Sequence, residues 1–135
     1  MIDPQTYIQS RADAVRKYIY DNEILATKLD IRYQVILDLI TPDGYVMMKT
    51  ADRIYHYFKD MVGYTIDVEG EEYETWHRKV LDEILTLQKQ KNLKHIDVCH
   101  IANMSLSTYM KIRRYGGISK GRKLYQTYQR LKSIY

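Results

Sequence analysis

Between Ser105 and Arg114 the chain reads SLSTYMKIRR, a run that mixes hydroxyl, apolar and strongly basic side chains. If Tyr109 and Ile112 face a core, helical periodicity turns Leu106, Ser107, Met110, Lys111 and Arg114 outward. That set suits the major groove of a DNA duplex. Ser107 and Lys111 can hydrogen-bond base edges, and Leu106 or Met110 can touch a thymine methyl. Thr108 and His95 are candidates for phosphate contacts. Arg113, Lys120, Arg122 and Lys123 add cations that can neutralise flanking phosphates, the sequence-independent share of such affinity.

Other chemistry is poorly represented. His95, Cys99 and His100 are close in sequence, but a structural zinc site needs four ligands from paired elements, and this chain has a single cysteine. The acids Glu69, Glu71, Glu72 and Glu74 read as a solvated linker. There is no glycine-rich phosphate loop, nucleophile elbow or metalloprotease motif. The expectation is a non-enzymatic protein with no metal and no cofactor.

A reading helix must be held by its neighbours, and residues 94–116 (KHIDVCHIANMSLSTYMKIRRYG) carry the signals for two short helices crossing at a tight turn. Cys99 is the small residue where the helices cross, with Val98 and Ala102 as inward neighbours. Asn103 takes the turn, where a left-handed backbone favours Gly and then Asn. Met104 plugs the turn, Ser105 is the N-cap of the second helix, and Tyr109 and Ile112 anchor it.

The same pattern occurs earlier, 73 residues upstream, in NEILATKLDIRYQVILDL. Ala26 takes the place of Cys99, Leu25 of Val98, Leu29 of Ala102, Asp30 of Asn103, Ile31 of Met104, Ile36 of Tyr109 and Leu39 of Ile112. Tyr20 and Leu93 also correspond. Beyond the motif, RIYHYFKDM (53–61) aligns with KLYQTYQRL (123–131) at a shift of 70, which predicts a loop three residues shorter in the second copy. Such a repeat implies a tandem duplication.

The second of these stretches resembles the Cro/phage-repressor (XRE-type) helix-turn-helix family, whose members often end the unit with polar, β-branched and basic residues such as SLSTYMKIRRYG. The resemblance implies an all-α fold of two tandem helix-turn-helix units of lambda-repressor-like type packed together. It implies repressor-like, sequence-specific binding of double-stranded DNA in transcription regulation. Since the family commonly reads palindromes as dimers, it also implies a homodimer or a pseudo-dimer of the two units. In that family the position of His95 is often Gln contacting the DNA backbone. The alternatives are a protein–protein adaptor, or a DNA-binding accessory subunit of a mobile-element or phage machine.

The remaining sequence fits helices nearly throughout. Asp3-Pro4 starts a first helix in the N-cap, N1 arrangement, running to about Tyr20 with Tyr7, Ala14, Val15 and Tyr18 inward. Pro42-Asp43-Gly44 signals a turn. KTADRIYHYFKDM is amphipathic, with Ala51, Ile54, Tyr55, Phe58 and Met61 recurring at three and four, and Gly63 stops it. A Gly116-Gly117 break precedes the closing helix. Fourteen tyrosines accompany one phenylalanine; Tyr55, Tyr57, Tyr125 and Tyr128 fall at helical spacings and read as core rings with wet hydroxyls. A single cysteine, no run long enough to span a membrane and no signal-peptide shape at the start predict a soluble, cytoplasmic protein.

Charge divides the chain unevenly. Residues 1–66 carry eight Lys/Arg against nine Asp/Glu, residues 67–75 carry five acids and no base, and residues 76–135 carry thirteen Lys/Arg against three acids. The expected organisation is therefore an N-terminal unit (1–66), an acidic connector (67–75) and a basic DNA-binding unit (76–135). In the first unit the equivalent outward residues are Arg32, Tyr33, Gln34, Leu37 and Asp38, with Val35 partly so. Arg32 and Gln34 would make it a second reader. Asp38 and the low net charge instead favour a packing or dimerisation module.

Overall fold

Asp3 begins the first helix as the spacing predicts: its Oδ1 accepts the Thr6 N–H at 2.9 Å, and Pro4 opens α1 (Pro4–Arg16). That backbone donor holds the Asp3 carboxyl below its usual range. Asp21 caps α2 (Asn22–Leu29) by accepting from the N–H groups of Glu23 and Ile24, both at 3.0 Å. The first unit continues with α3 (Tyr33–Ile40) and α4 (Met48–Val62). The second unit consists of α5 (Tyr73–Gln90), α6 (His95–Ala102), α7 (Leu106–Tyr115) and α8 (Gly121–Lys132). This computed structural model describes residues 1–41, 44–62, 71–115 and 121–134, among which all regular structure is helical. The fold is all-α, and the helices fall into two units, α1–α4 and α5–α8.

Within the first unit α1 packs on α4 and α3, and α2 packs on α3. In the second, α5 packs on α8, α8 on α6, and α6 on α7. Helices α2, α3 and α4 begin at residues 22, 33 and 48, and α6, α7 and α8 at residues 95, 106 and 121, a constant offset of 73. Burial follows the same offset. Tyr7 and Val80, Leu25 and Val98, Ala26 and Cys99, Ile36 and Tyr109, and Leu39 and Ile112 are all buried. In the last helix of each unit, Ala51 pairs with Leu124, Ile54 with Thr127 and Phe58 with Leu131, again all buried.

This corrects the expected shift of 70 for the last helices. Helix α7 is two residues longer than α3, and its connection to α8 is shorter by the same amount, so the start-to-start spacing is unchanged. The 70-residue alignment matched residue types, whereas the core is set by the 73-residue register. Met61, expected inward, is 64% exposed.

Two other boundaries differ. Helix α1 stops at Arg16 instead of near Tyr20; Tyr7 and Val15 are buried, but Ala14 and Tyr18 only half-buried. Residues 73–75, assigned to the connector, form the first turn of α5, where Tyr73 is buried and stacks on Trp76 with centroids 6.0 Å apart. The rest of that connector from 67 to 70, Gly63, Pro42-Asp43 and Gly116-Gly117 lie outside the described residues. Gly44 is described, and a Cβ there would stand 2.0 Å from the Asp38 carbonyl oxygen, so the loop after α3 approaches that helix too closely for any side chain.

One core feature was not foreseen. Arg11, 1% exposed, lies between α1 and α4 with its Nε 3.5 Å from Asp52 Oδ1 and its guanidinium 3.4 Å over the Tyr7 ring. His56 Nε2 lies 3.4 Å from the other Asp52 oxygen. Burial, and then the Asp52 charge, push the Tyr7 phenol well above its ordinary range. At the equivalent position of the second unit stands Ile84, which is buried and apolar. No helix among the described residues is long and apolar enough to cross a membrane.

Candidate nucleic-acid interface

The turn before α7 has the backbone its sequence asks for. Asn103 is left-handed at φ 54°, ψ 52°, and the Met104 N–H reaches back to the Cys99 carbonyl at 3.0 Å. Asp30 in the first unit does the same at φ 53°, ψ 50°, with the Ile31 N–H on the Ala26 carbonyl at 3.0 Å. Both residues belong to the few types that tolerate this region. Ser105 caps α7, accepting the Thr108 N–H at 3.1 Å, and its hydroxyl meets that of Thr108 at 2.9 Å.

Tyr109 and Ile112 are each 1% exposed and fix which side of α7 faces in. Leu106, Ser107, Lys111 and Arg114 are accordingly exposed, while Met110 and Thr108 are half-buried. The side chains of Ser107, Lys111 and Arg114 make no hydrogen bond or ion pair among the described residues. A base-capable hydroxyl and two cations thus share one open face of a helix. Leu106 and Ile96 add apolar rims, 45% and 46% exposed, to a shallow cleft of about 480 Å³ beside the turn.

Other expected contacts are occupied within the unit. His95 and Arg113 are half-buried and meet each other, Arg113 Nη1 lying 2.5 Å from His95 Nε2. Neither is free to lie on a phosphate while they hold each other. Lys123 donates to the Asn103 carbonyl at 3.3 Å, and Arg130 to the Ile101 carbonyl at 3.1 Å. These cations of α8 satisfy the carbonyl end of α6, where a positive charge is favoured. Arg53 of α4 does the same for Leu29 at the end of α2. Arg122 is half-buried, and Lys120 lies outside the described residues.

Behind α7 is a polar network that the sequence reading missed. Gln88, 8% exposed on α5, accepts from the Tyr109 hydroxyl at 2.5 Å. Its amide nitrogen donates to the Leu93 carbonyl at 3.2 Å and lies 2.8 Å from His95 Nδ1. The His95 ring also sits edge-on to Tyr109, with centroids 5.9 Å apart. A neutral imidazole has one acceptor nitrogen, so the ring serves Gln88 or Arg113 according to its tautomer. The only sequence signal was a glutamine standing where the apolar stripe of α5, through Val80 and Ile84, requires an inward residue.

The corresponding face of the first unit has different chemistry. Arg32, Tyr33 and Gln34 are exposed, and Val35, Leu37 and Asp38 half-buried. Asp38 occupies the position of Lys111, and Gln34 donates to its carboxylate at 3.0 Å. Thr41 stands where the second unit has Arg114.

Cys99 is buried at the crossing of α6 and α7, 2% exposed, and burial pushes its thiol above the ordinary range. It is a packing residue and a poor nucleophile. Among the described residues no three His, Cys, Asp or Glu side chains gather in a way that could hold a metal ion. No family model, no curated protein and no solved structure matches this chain significantly.

Proposed function

We propose that the chain binds double-stranded DNA through α7 of its second unit and acts as a repressor-like regulator of transcription. The observation that carries this reading is the open face of Ser107, Lys111 and Arg114 on a helix that follows a left-handed Asn103 turn and is anchored by Tyr109 and Ile112. A helix presented this way offers hydrogen-bonding groups to base edges and cations to phosphates. The thirteen bases against three acids in residues 76–135 supply a field of the right sign. The protein acts without catalysis, in a reducing cytoplasm, and reads palindromic sites as a homodimer.

The first unit is a packing or dimerisation module in this reading. Asp38 at the Lys111 position would repel phosphate, and its bond to Gln34 occupies the side chain that a second reader would need. The built-in pseudo-dimer with two like readers is therefore the weaker alternative.

Gel shifts of the full chain against random-sequence duplex pools, over a range of salt, test the proposal. Enrichment of a defined site supports a regulator; salt-sensitive binding with no preferred sequence supports an accessory subunit instead. No duplex binding at any salt would leave the adaptor reading.

A further inference from the structure

We infer that Gln88 is a positioning residue for the DNA-reading helix: through its bond from Tyr109 it sets the rotation of α7 about its own axis. The inference rests on the DNA reading above for its consequence, and on the geometry of the second unit for its mechanism.

Three helices meet at this one carboxamide. Gln88 belongs to α5, it touches His95 at the first position of α6, and it accepts from Tyr109 of α7. Arg113, one turn beyond Tyr109, lies 2.5 Å from His95 Nε2, so in the tautomer whose Nε2 accepts, α7 has a second hold on α6 that does not pass through Gln88. Apolar side chains specify distance but tolerate small rotations, whereas hydrogen bonds weaken steeply away from their preferred angles. Tyr109 and Arg113 lie on the side of α7 opposite Ser107, Lys111 and Arg114. Any rotation that the network forbids would swing those three away from the base edges they are to meet.

The first unit supplies the internal contrast. At the positions of Gln88, Tyr109 and Arg113 it has Val15, Ile36 and Ile40, and no polar group ties α1 to α3 there. The unit whose equivalent helix carries Asp38 in place of Lys111 also lacks the network. The two differences fall together, as expected if the network serves the reading face.

The test must separate orientation from stability. Removing Gln88 alone strands the Tyr109 hydroxyl and destabilises the unit whatever its role. Gln88→Leu combined with Tyr109→Phe removes both partners and leaves an apolar pair, a change that is often nearly neutral for folding. In the full-length protein two quantities are then compared with wild type: residual dipolar couplings of α7 relative to α5 and α6, and the ratio of affinities for a selected duplex over random duplex. The expected result is a near-native melting temperature and altered couplings confined to α7. Discrimination should fall about tenfold, comparable to the loss of one good base contact, with an unchanged salt slope. Unaltered α7 couplings in a folded double variant would overturn the positioning role, whatever happens to binding. A variant that unfolds would also count against it, because it would make the network a requirement of folding. Wild-type protein that binds no duplex would overturn the DNA reading and with it the specificity role, and the couplings alone would then say whether Gln88 orients the helix.

Discussion

In the first unit the buried polar groups join the first and fourth helices, through Arg11 and Asp52. In the second they join the first, second and third, through Gln88, His95, Tyr109 and Arg113. Where one unit has the ion pair, the other has Ile84 and Tyr125; where one has the amide network, the other has Val15, Ile36 and Ile40. Two copies of one helical plan have thus fixed different joints. The first unit ties its outer pair of helices with an ion pair and faces α3 toward the core with Ile36 and Leu39. The second fixes the helix that carries its exposed cations. The directional bonds differ between the units, and the backbone plan has not changed to accommodate them.

Breaking the ion pair should have the largest effect. Arg11→Met leaves the Asp52 carboxylate in the core without its guanidinium partner, and should cost about 3 to 5 kcal/mol in urea or thermal melts. Grafting the second unit's pair, Arg11→Ile with Asp52→Tyr, should recover most of that loss, since a well-packed apolar pair often equals or exceeds a buried ion pair. If Arg11→Met alone is neutral, the ion pair is not what secures α1 to α4.

The contrast between the exposed faces of α3 and α7 comes next. Lys111→Ala and Arg114→Ala should weaken duplex binding without unfolding the protein, and each should flatten the salt dependence by about one unit if it contacts a phosphate. If Lys111 reads a base, its loss should also remove about 1 to 3 kcal/mol of sequence discrimination. Asp38→Ala, at the matching position of the first unit, should leave affinity unchanged. Equal effects from the two units would make both of them readers.

The helix crossing offers a finer comparison, because Cys99 and Ala26 are each other's counterparts. Cys99→Ala should fold and bind with little loss, whereas Cys99→Leu should overpack the crossing at a cost of roughly 1 to 3 kcal/mol and impair binding. Melts and gel shifts on the pair decide it; tolerance of Leu with loss of binding by Ala would mean that the motif is read in the wrong register.

The smallest expected effect is a pH dependence. Burial raises the Tyr73 phenol from its ordinary value of 10.0 to about 12. An unfolded tyrosine ionises first as pH rises, so the stabilisation is complete below pH 10 and is lost as pH climbs to about 12. Tyr73→Phe should flatten the fall in melting temperature across that window, leaving the part due to Tyr7 and Tyr109, whose phenols burial also raises. An identical fall in the variant would contradict the assignment to Tyr73.

What could be read from the sequence was whatever local chemistry enforces. Asp3 and Ser105 accept backbone N–H groups because short oxygen-bearing side chains satisfy helix starts; Asp21 does the same at α2 but was not singled out. Asp30 and Asn103 mark the turns because few residues accept positive φ, although Asn92, at φ 53° after α5, shares that property and was passed over. Apolar spacing found Ala26, Cys99, Ile36 and Ile112. It failed where the core accepts polar atoms: Arg11 and Gln88 interrupt their stripes, and only their partners, 41 and 21 residues away, make burial tolerable. It failed again in α4 and α8, where similar residue types at a shift of 70 outweighed a register that only burial reveals. Of the expected contact residues, Ser107, Lys111 and Arg114 were visible from facing direction alone. His95 and Arg113 looked available because their attraction for each other is a tertiary fact.

The constant offset of 73 residues has a practical meaning. Residues 33–40 and 106–113 are segments of equal length, entered from the same turn geometry, so either can be written into the other's place with no change in chain length or loop design. The protein therefore carries its own control. A chimera with the second unit's segment in both places, and another with the first unit's in both, differ from the natural chain in the exposed surface of one helix and in the side chains behind it, where Ile36, Leu39 and Ile40 exchange with Tyr109, Ile112 and Arg113. Such a series asks whether recognition resides in eight exchangeable residues or in the frame that receives them.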